Sequence, residues 1–303
     1  MNQLDRKVTL GLWPIAGVTT LGVTDEDARA TIQTAFDLGI TAFDTAFSYG
    51  YDGESDRHLG SVLGSQRDQI HITGKVGQRW DGTARVIDGS PPTLTADAET
   101  SLERIGIDQF DLLMLHCPDP NVPIEQSAEA IEQLQRRGLC KQIGVCNVTA
   151  KQQQQFADAV GCDAIQCPLN LMQQASLEQL IPQCKQQSCD VFAFWVLMKG
   201  LLAGKIGRDH AFAAGDSRPN YEIFQGQQRR DAHDVLDAMQ KIGDQAGMTI
   251  AQLSIGWVLS QEGVSGALIG ARRPEQIRET AAAGELPKDV ITAINRLVEQ
   301  PSR

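Results

Sequence analysis

Four ionisable side chains in this sequence could together move a proton: Asp44, Tyr49, Lys75 and His116. A phenol with an ordinary pKa of about 10 is a poor acid at neutral pH. An ammonium group beside it stabilises the phenolate and lowers that value, so the expectation is that Lys75 acidifies Tyr49 while Asp44 holds the lysine and balances its charge. The imidazole of His116 could then hydrogen-bond an oxygen of the substrate and help to relay the proton. Such a set can protonate a carbonyl oxygen while a hydride reaches the carbon, or run the reverse on an alcohol. Taken singly, each residue has a plainer explanation: a capping Asp, a packed Tyr, a solvated Lys, a His satisfied within a turn. The case rests on their being brought together.

The elements that must do so are short apolar runs. Asp44 lies in Thr41–Ala46, Lys75 ends Ile70–Lys75, and His116 ends Phe110–His116, each run being rich in apolar, β-branched or aromatic residues and followed by loop-like sequence. Runs of that length read as buried strands. Five more fit the pattern: Val8–Trp13, Lys141–Val145, Ala164–Cys167, Asp190–Leu197 and Val264–Ile269. Helical patterns follow them, beginning with one opened by Thr24 and the acidic run Asp25-Glu26-Asp27, which suits a helix dipole. Further helices are expected at 54–63, 95–105, 125–137, 150–160, 177–187, 227–246, 250–261, 274–283 and 287–298. A polar loop carrying Trp80 and Pro91-Pro92 precedes the helix at 95, and a long connection of 198–225 is of a length usually functional or mobile. Alternation of strands and helices implies a parallel sheet, and eight units imply closure into one (β/α)8 barrel over residues 1–303. An open doubly wound sheet is disfavoured because no G-x-G-x-x-G follows the first strand. In a barrel the C-terminal strand ends surround one mouth, where Asp44, Lys75 and His116 would meet.

Composition narrows the partners. The formal net charge of −11 argues against a general nucleic-acid or anionic-membrane surface. There is no leader-like segment or bilayer-spanning apolar stretch, so a cytoplasmic protein is expected. Seven scattered cysteines read as reduced thiols. The pairs Cys162/Cys167 and Cys184/Cys189 are spaced too loosely for a tight zinc knuckle, and no metal is expected.

The ordered set Asp44-Thr-Ala-x-x-Tyr49-Gly50, Gly74-Lys75, Leu-Leu-Met-Leu-His116, Ile143-Gly-Val-Cys-Asn147, Gln166 with Asn170, Gly200-Leu-Leu-x-Gly204-Lys205 and Ile269-Gly-Ala-Arg-Arg-Pro-Glu-Gln276 resembles the aldo-keto reductase superfamily across nearly the whole chain. The resemblance implies a catalytic tetrad of Asp44, Tyr49, Lys75 and His116, with Tyr49 as general acid, and a nicotinamide cofactor extended across the mouth. Cys146, Asn147 and Gln166 would bind its carboxamide, and Phe194 would stack on its ring. Leu197, Lys199 and Gly200 would flank the pyrophosphate. Gly270, Arg272, Arg273 and Gln276 would receive the adenosine phosphate, with Thr280 near adenine. The guanidinium pair favours NADPH over NADH. Trp13, Phe47 and Trp80 would line the substrate pocket.

Several positions depart from the pattern: Cys146 replaces Ser, Trp195-Val196 replace a small residue and Pro, Thr280 replaces Asn, and Leu12 replaces Thr. The expected activity is NADPH-dependent interconversion of small aldehydes or ketones and their alcohols. Two other classes compete with it. A cofactor-binding regulatory subunit, similar to the potassium-channel β subunits, would turn over slowly and hold a membrane partner. A metal-dependent barrel isomerase or hydrolase would carry a convergent His/Asp/Glu set, which the sequence lacks.

Overall fold

The computed structural model describes residues 7–18 and 20–298. In chain order its strands are β1 (Val8–Gly11), β2 (Ala42–Asp44), β3 (His71–Val76), β4 (Gln78–Asp81), β5 (Ala84–Ile87), β6 (Phe110–Leu115), β7 (Cys140–Cys146), β8 (Ala164–Pro168), β9 (Asp190–Phe194) and β10 (Gly266–Gly270). The helices are α1 (Asp25–Asp37), α2 (Glu54–Leu63), α3 (Pro91–Ile105), α4 (Ile124–Arg136), α5 (Ala150–Val160), α6 (Leu180–Gln186), α7 (Gly226–Ala246), α8 (Ile250–Leu259), α9 (Pro274–Thr280) and α10 (Lys288–Val298). Eight of the strands close a barrel in the order β1-β2-β3-β6-β7-β8-β9-β10, with β10 pairing back to β1. Every pair in the ring is parallel.

Because a strand's side chains alternate between faces, one register divides the barrel into two cores. Leu10, Phe43, Ile72, Leu113, Val145 and Ile165 belong to the large core shared with the helices. Leu112, Met114, Ala164, Phe192 and Leu268 form a small separate cluster, with Phe194 packed on it. This cluster plugs the barrel, and the alternation puts Asp44, Lys75, Cys146 and Gln166 on the same inward face, nearer the C-terminal strand ends. The register pairs Gly11 with Asp44, Lys75 with Met114, and Cys146 with Gln166.

Local chemistry explains where the helices begin. Thr24, Thr149 and Thr249 each form a capping box with Asp27, Gln152 and Gln252, so first-turn amides are satisfied reciprocally. Gly60 on α2 lies against α3: a Cβ there would stand 2.2 Å from the Ile105 carbonyl oxygen.

Several sequence expectations are corrected. The segment expected to be a polar loop around Trp80 is an antiparallel hairpin, β4–β5, in which Trp80 faces Arg85. Helix α3 starts at Pro91 rather than Thr95, because proline is acceptable in the first turn, where its missing N–H costs no helix bond. The first strand stops at Gly11, and Trp13–Ile15 form a 3-10 turn that lifts Trp13 over the mouth. The expected helix at 177–187 is divided into a 3-10 turn, Ala175–Leu177, and α6. The 198–225 connection contains three short 3-10 turns. Among the described residues, no helix is long and apolar enough to cross a membrane.

Candidate active site

Strand ends of the barrel converge on one hydrogen-bonded chain. The Lys75 ammonium is buried and donates to Asp44 Oδ1, to the Tyr49 hydroxyl oxygen at 3.1 Å and to the Thr45 carbonyl at 3.5 Å. The other Asp44 oxygen, Oδ2, accepts from Gln166 Nε2 at 2.6 Å. Tyr49 reaches this chain because Phe47 N–H donates to the Lys75 carbonyl and Tyr49 N–H to the Ala46 carbonyl, turning the segment after β2 back over the mouth. The Tyr49 ring meets His116 edge-on, with centroids 5.8 Å apart, and Trp13 at 5.2 Å. Asp44, Tyr49, Lys75 and His116 are therefore brought together as expected.

Their charge states are set by competing effects. Burial pulls Lys75 down, but the Asp44 carboxylate and then the Tyr49 phenol oppose it, and the net shift is upward, leaving a firmly charged ammonium. Tyr49 is pushed up to about 12, with burial the largest cause; Lys75 pulls it down and Asp44 pushes it up. The expectation of an acidified phenol is thus corrected. Although part of the residue is open to solvent, the protein packed around its hydroxyl outweighs the ammonium. His116 is held well below the usual imidazole range, first by burial and then by the charges of Lys75 and Arg85, so it is neutral. Its Nδ1 is buried without a hydrogen-bond partner.

Around the mouth, the free acceptors fit a nicotinamide carboxamide. Asn147 sits exposed in the left-handed region at φ 58° and donates through Nδ2 to the His116 carbonyl at 2.9 Å. Among the described contacts its Oδ1 is uncommitted. Gln166 Oε1 meets only the weak Cys146 thiol donor, at 3.9 Å. Two amide oxygens thus remain for an incoming –NH2 group. Burial pushes the Cys146 thiol up, which keeps it an uncharged, weak donor. Gln166 has a second task not visible in the sequence: it bridges this pocket to Asp44.

Phe194 is half-buried on top of the barrel plug, next to Trp195, which is exposed at φ 59°. Asn170 fixes that turn: its Nδ2 donates to the Trp195 carbonyl at 3.2 Å. Beyond Leu197, Met198, Lys199 and Gly200 have φ of 44°, 53° and 94°, a kinked ledge beside Phe194. The Lys199 ammonium lies 4.4 Å from the Tyr221 ring centroid, at the edge of a cavity of about 330 Å³ lined in part by Trp195, Met198 and Phe224.

At the end of β10, Gly270 is packed so closely that a Cβ would meet Pro14 at 2.6 Å. Arg272 is half-buried. Desolvation lowers its pKa, and the neighbouring charges of Arg218 and Arg273 add to the effect. Three guanidiniums that repel one another suit a phosphate, although Arg218 is engaged with Asp216. Arg218, in the 198–225 connection, was not among the residues expected at the cofactor. Gln276 is exposed, and its Oε1 accepts from the Arg272 backbone N–H at 2.7 Å. Thr280 is buried and its hydroxyl donates to the Gln276 carbonyl at 3.0 Å, so that donor is committed within its own helix.

Of the three aromatic residues expected at the substrate pocket, Trp13 and Trp80 frame the mouth. Trp80 is held by its indole N–H donating to the Ser48 carbonyl at 2.9 Å. The Phe47 ring is instead flanked by the guanidiniums of Arg79 and Arg104, which join it to α3. Among the described residues, no group of three His, Cys, Asp or Glu side chains is arranged to hold a metal.

The sequence matches the model of the Aldo/keto reductase family over residues 7–299. It is 29% identical over 304 residues to aldo-keto reductase YhdN of Bacillus subtilis, covering 97% of this chain and 92% of that protein. It is also 29% identical over 294 residues to the NADH-specific methylglyoxal reductase of Escherichia coli, covering 91% and 89%. The glycerol dehydrogenase of Gluconobacter oxydans superposes with a TM-score of 0.90 at 30% identity, over 98% of this chain and 93% of that one.

Proposed function

The chain belongs to the aldo/keto reductase family, and from that premise we propose that it is an NADPH-dependent reductase of small aldehydes or ketones, reversible toward their alcohols, with Tyr49 as the general acid. The observation that carries this reading is the unbroken Asp44–Lys75–Tyr49 chain in edge contact with a neutral His116. On this reading the matched span, residues 7–299, acts as one catalytic domain.

When bound, reduced nicotinamide supplies a hydride to the carbonyl carbon. The chain's own residues handle the oxygen. His116, being neutral, can donate one ring N–H to it without competing for the proton. As negative charge grows there, the Tyr49 O–H bond breaks and its proton passes to the oxygen. The phenolate left behind is stabilised by Lys75, whose ammonium is 3.1 Å away and kept charged by Asp44. Gln166 and Asp44 hold the lysine in place. Asn147, Gln166 and Cys146 orient the carboxamide, Phe194 supports the ring, and the ledge Leu197–Gly200 flanks the pyrophosphate. Arg272 and Arg273 supply guanidinium forks for an adenosine 2′-phosphate, which is the support for NADPH. Trp13 and Trp80 provide apolar walls. The relatives' names, which describe reduction or oxidation of small carbonyl or polyol compounds, support a small-molecule substrate.

Purified protein mixed with NADPH and a panel of aldehydes and ketones should consume the nicotinamide absorbance. Tyr49→Phe should lower kcat by about 10²- to 10⁴-fold while leaving NADPH binding measurable by fluorescence. Wild-type rates in that variant would reject the role of Tyr49. Arg272→Ala should weaken NADPH binding by about 10- to 100-fold and NADH binding far less, because it removes a charge-assisted contact to phosphate. Equal losses would reject the NADPH assignment.

A further inference from the structure

One cation at the mouth enters the chemistry above only through its charge on His116. Arg85, on the exposed hairpin, lies opposite Trp80 in the β4–β5 register. Its guanidinium lies 5.0 Å from the Trp80 ring centroid and 4.6 Å from that of Trp13. Trp13 in turn packs edge-on against Tyr49, and the charge of Arg85 is felt at both Tyr49 and His116. The arginine is therefore bracketed by two indoles beside the proton donor.

Its neighbours differ from it in one respect. Arg79 is paired with Asp97 and Arg104 with Asp52, whereas no carboxylate among the described residues pairs with Arg85. A guanidinium stacked on aromatic faces keeps its in-plane N–H groups available for a carboxylate or phosphate, and the stacking limits the rotamer freedom lost on binding. The surrounding protein carries a formal net charge of −11. An anion drawn to the mouth of such a protein needs a local cation to hold it.

We propose that Arg85 receives the anionic group of the substrate while its carbonyl oxygen lies between Tyr49 and His116, so that this enzyme favours short carbonyl compounds bearing a carboxylate or phosphate. The proposal rests on the carbonyl-reductase reading above and deepens it by naming a substrate class.

The test uses matched pairs with wild type, Arg85→Ala and Arg85→Lys: butyraldehyde against succinic semialdehyde for the carboxylate, and glyceraldehyde against glyceraldehyde 3-phosphate for the phosphate. Wild type should show a higher kcat/KM for the charged member of at least one pair, and that pair identifies the anion. Arg85→Ala should reduce the charged-to-neutral ratio by about 10- to 100-fold, mainly through KM, as expected for loss of a charge-assisted contact. Arg85→Lys should recover part of the ratio, and added salt should erode it in wild type. Unfolding midpoints of the three proteins identify any loss due to misfolding, and the lysine variant then decides. No charged preference in wild type, or an unchanged ratio in both variants, overturns the proposal and reduces Arg85 to a clip between two tryptophans. Failure to turn over any of the four compounds or the wider panel instead overturns the reductase reading itself.

Discussion

At Tyr49, two environments oppose each other and burial wins. The phenol is pushed up to about 12 despite the ammonium 3.1 Å away. A donor with so high a pKa stays protonated throughout the working range, so carbonyl reduction should show no loss attributable to Tyr49 between about pH 6 and about pH 10. Alcohol oxidation needs the phenolate, whose population grows about tenfold per pH unit below its pKa. The oxidative rate should therefore climb steeply over the same range. Steady-state pH profiles in both directions check this; a reductive rate that fell with a midpoint near neutrality would contradict it. Neutral His116 should add no step near the ordinary imidazole pKa. The sequence revealed which residues meet, because residue type and strand-end position are legible in it. It misled on the direction of the phenol's shift, since the ammonium is visible in a sequence while the density of protein around a hydroxyl is not.

The elements were legible wherever periodicity and punctuation agreed. Helices α2 and α5 occur at the expected residues, and α1 is opened, as expected, by Thr24 and its acidic first turn. The hairpin was not legible: Gln78–Ile87 is polar and half-exposed, so its strands lack the apolar alternation that announces a sheet with a buried face. Missing the hairpin also concealed Arg85. Close packing between α2 and α3 gives a prediction at this scale. An alanine normally stabilises a helix by about 0.5–1 kcal/mol relative to glycine. At Gly60 the sign should reverse, because the added methyl would stand 2.2 Å from the Ile105 backbone oxygen. Gly60→Ala should cost about 1–3 kcal/mol, the usual range for overpacking, seen as a lower urea midpoint. A rise in the midpoint would show that the two helices can separate freely.

Over the whole molecule, two buried carboxyls set a pH dependence of stability. Asp56 links the end of β2 to α2 and α3, accepting from Thr45 at 2.5 Å and from Ser101 at 2.8 Å, yet burial pushes it up to about 6. Asp97 is pushed up to about 6 for the same reason, against the pull of Gly77 N–H and Arg79. In both, the folded state holds the proton more tightly than the unfolded chain. Stability should thus fall as pH rises from about 4 to about 6 and then level off. Urea unfolding across that range should show the slope in wild type and a shallower one in Asp56→Asn; identical slopes would remove Asp56 as a source. Asp111, lowered by Lys141 and the Ile72 N–H after opposing burial, acts in the opposite sense and loses its contribution only as pH falls below the ordinary carboxylate range.

The pairing of β1 with β10 has a consequence for how this molecule comes into being. Gly11 is bonded on one side to the strand of Asp44 and on the other to Gly270, so the ring has a seam that the last strand alone can close. A nascent chain emerging in order holds the proton-transfer residues early and the guanidinium arm late. The ring that gathers both is complete only once β10 pairs with β1.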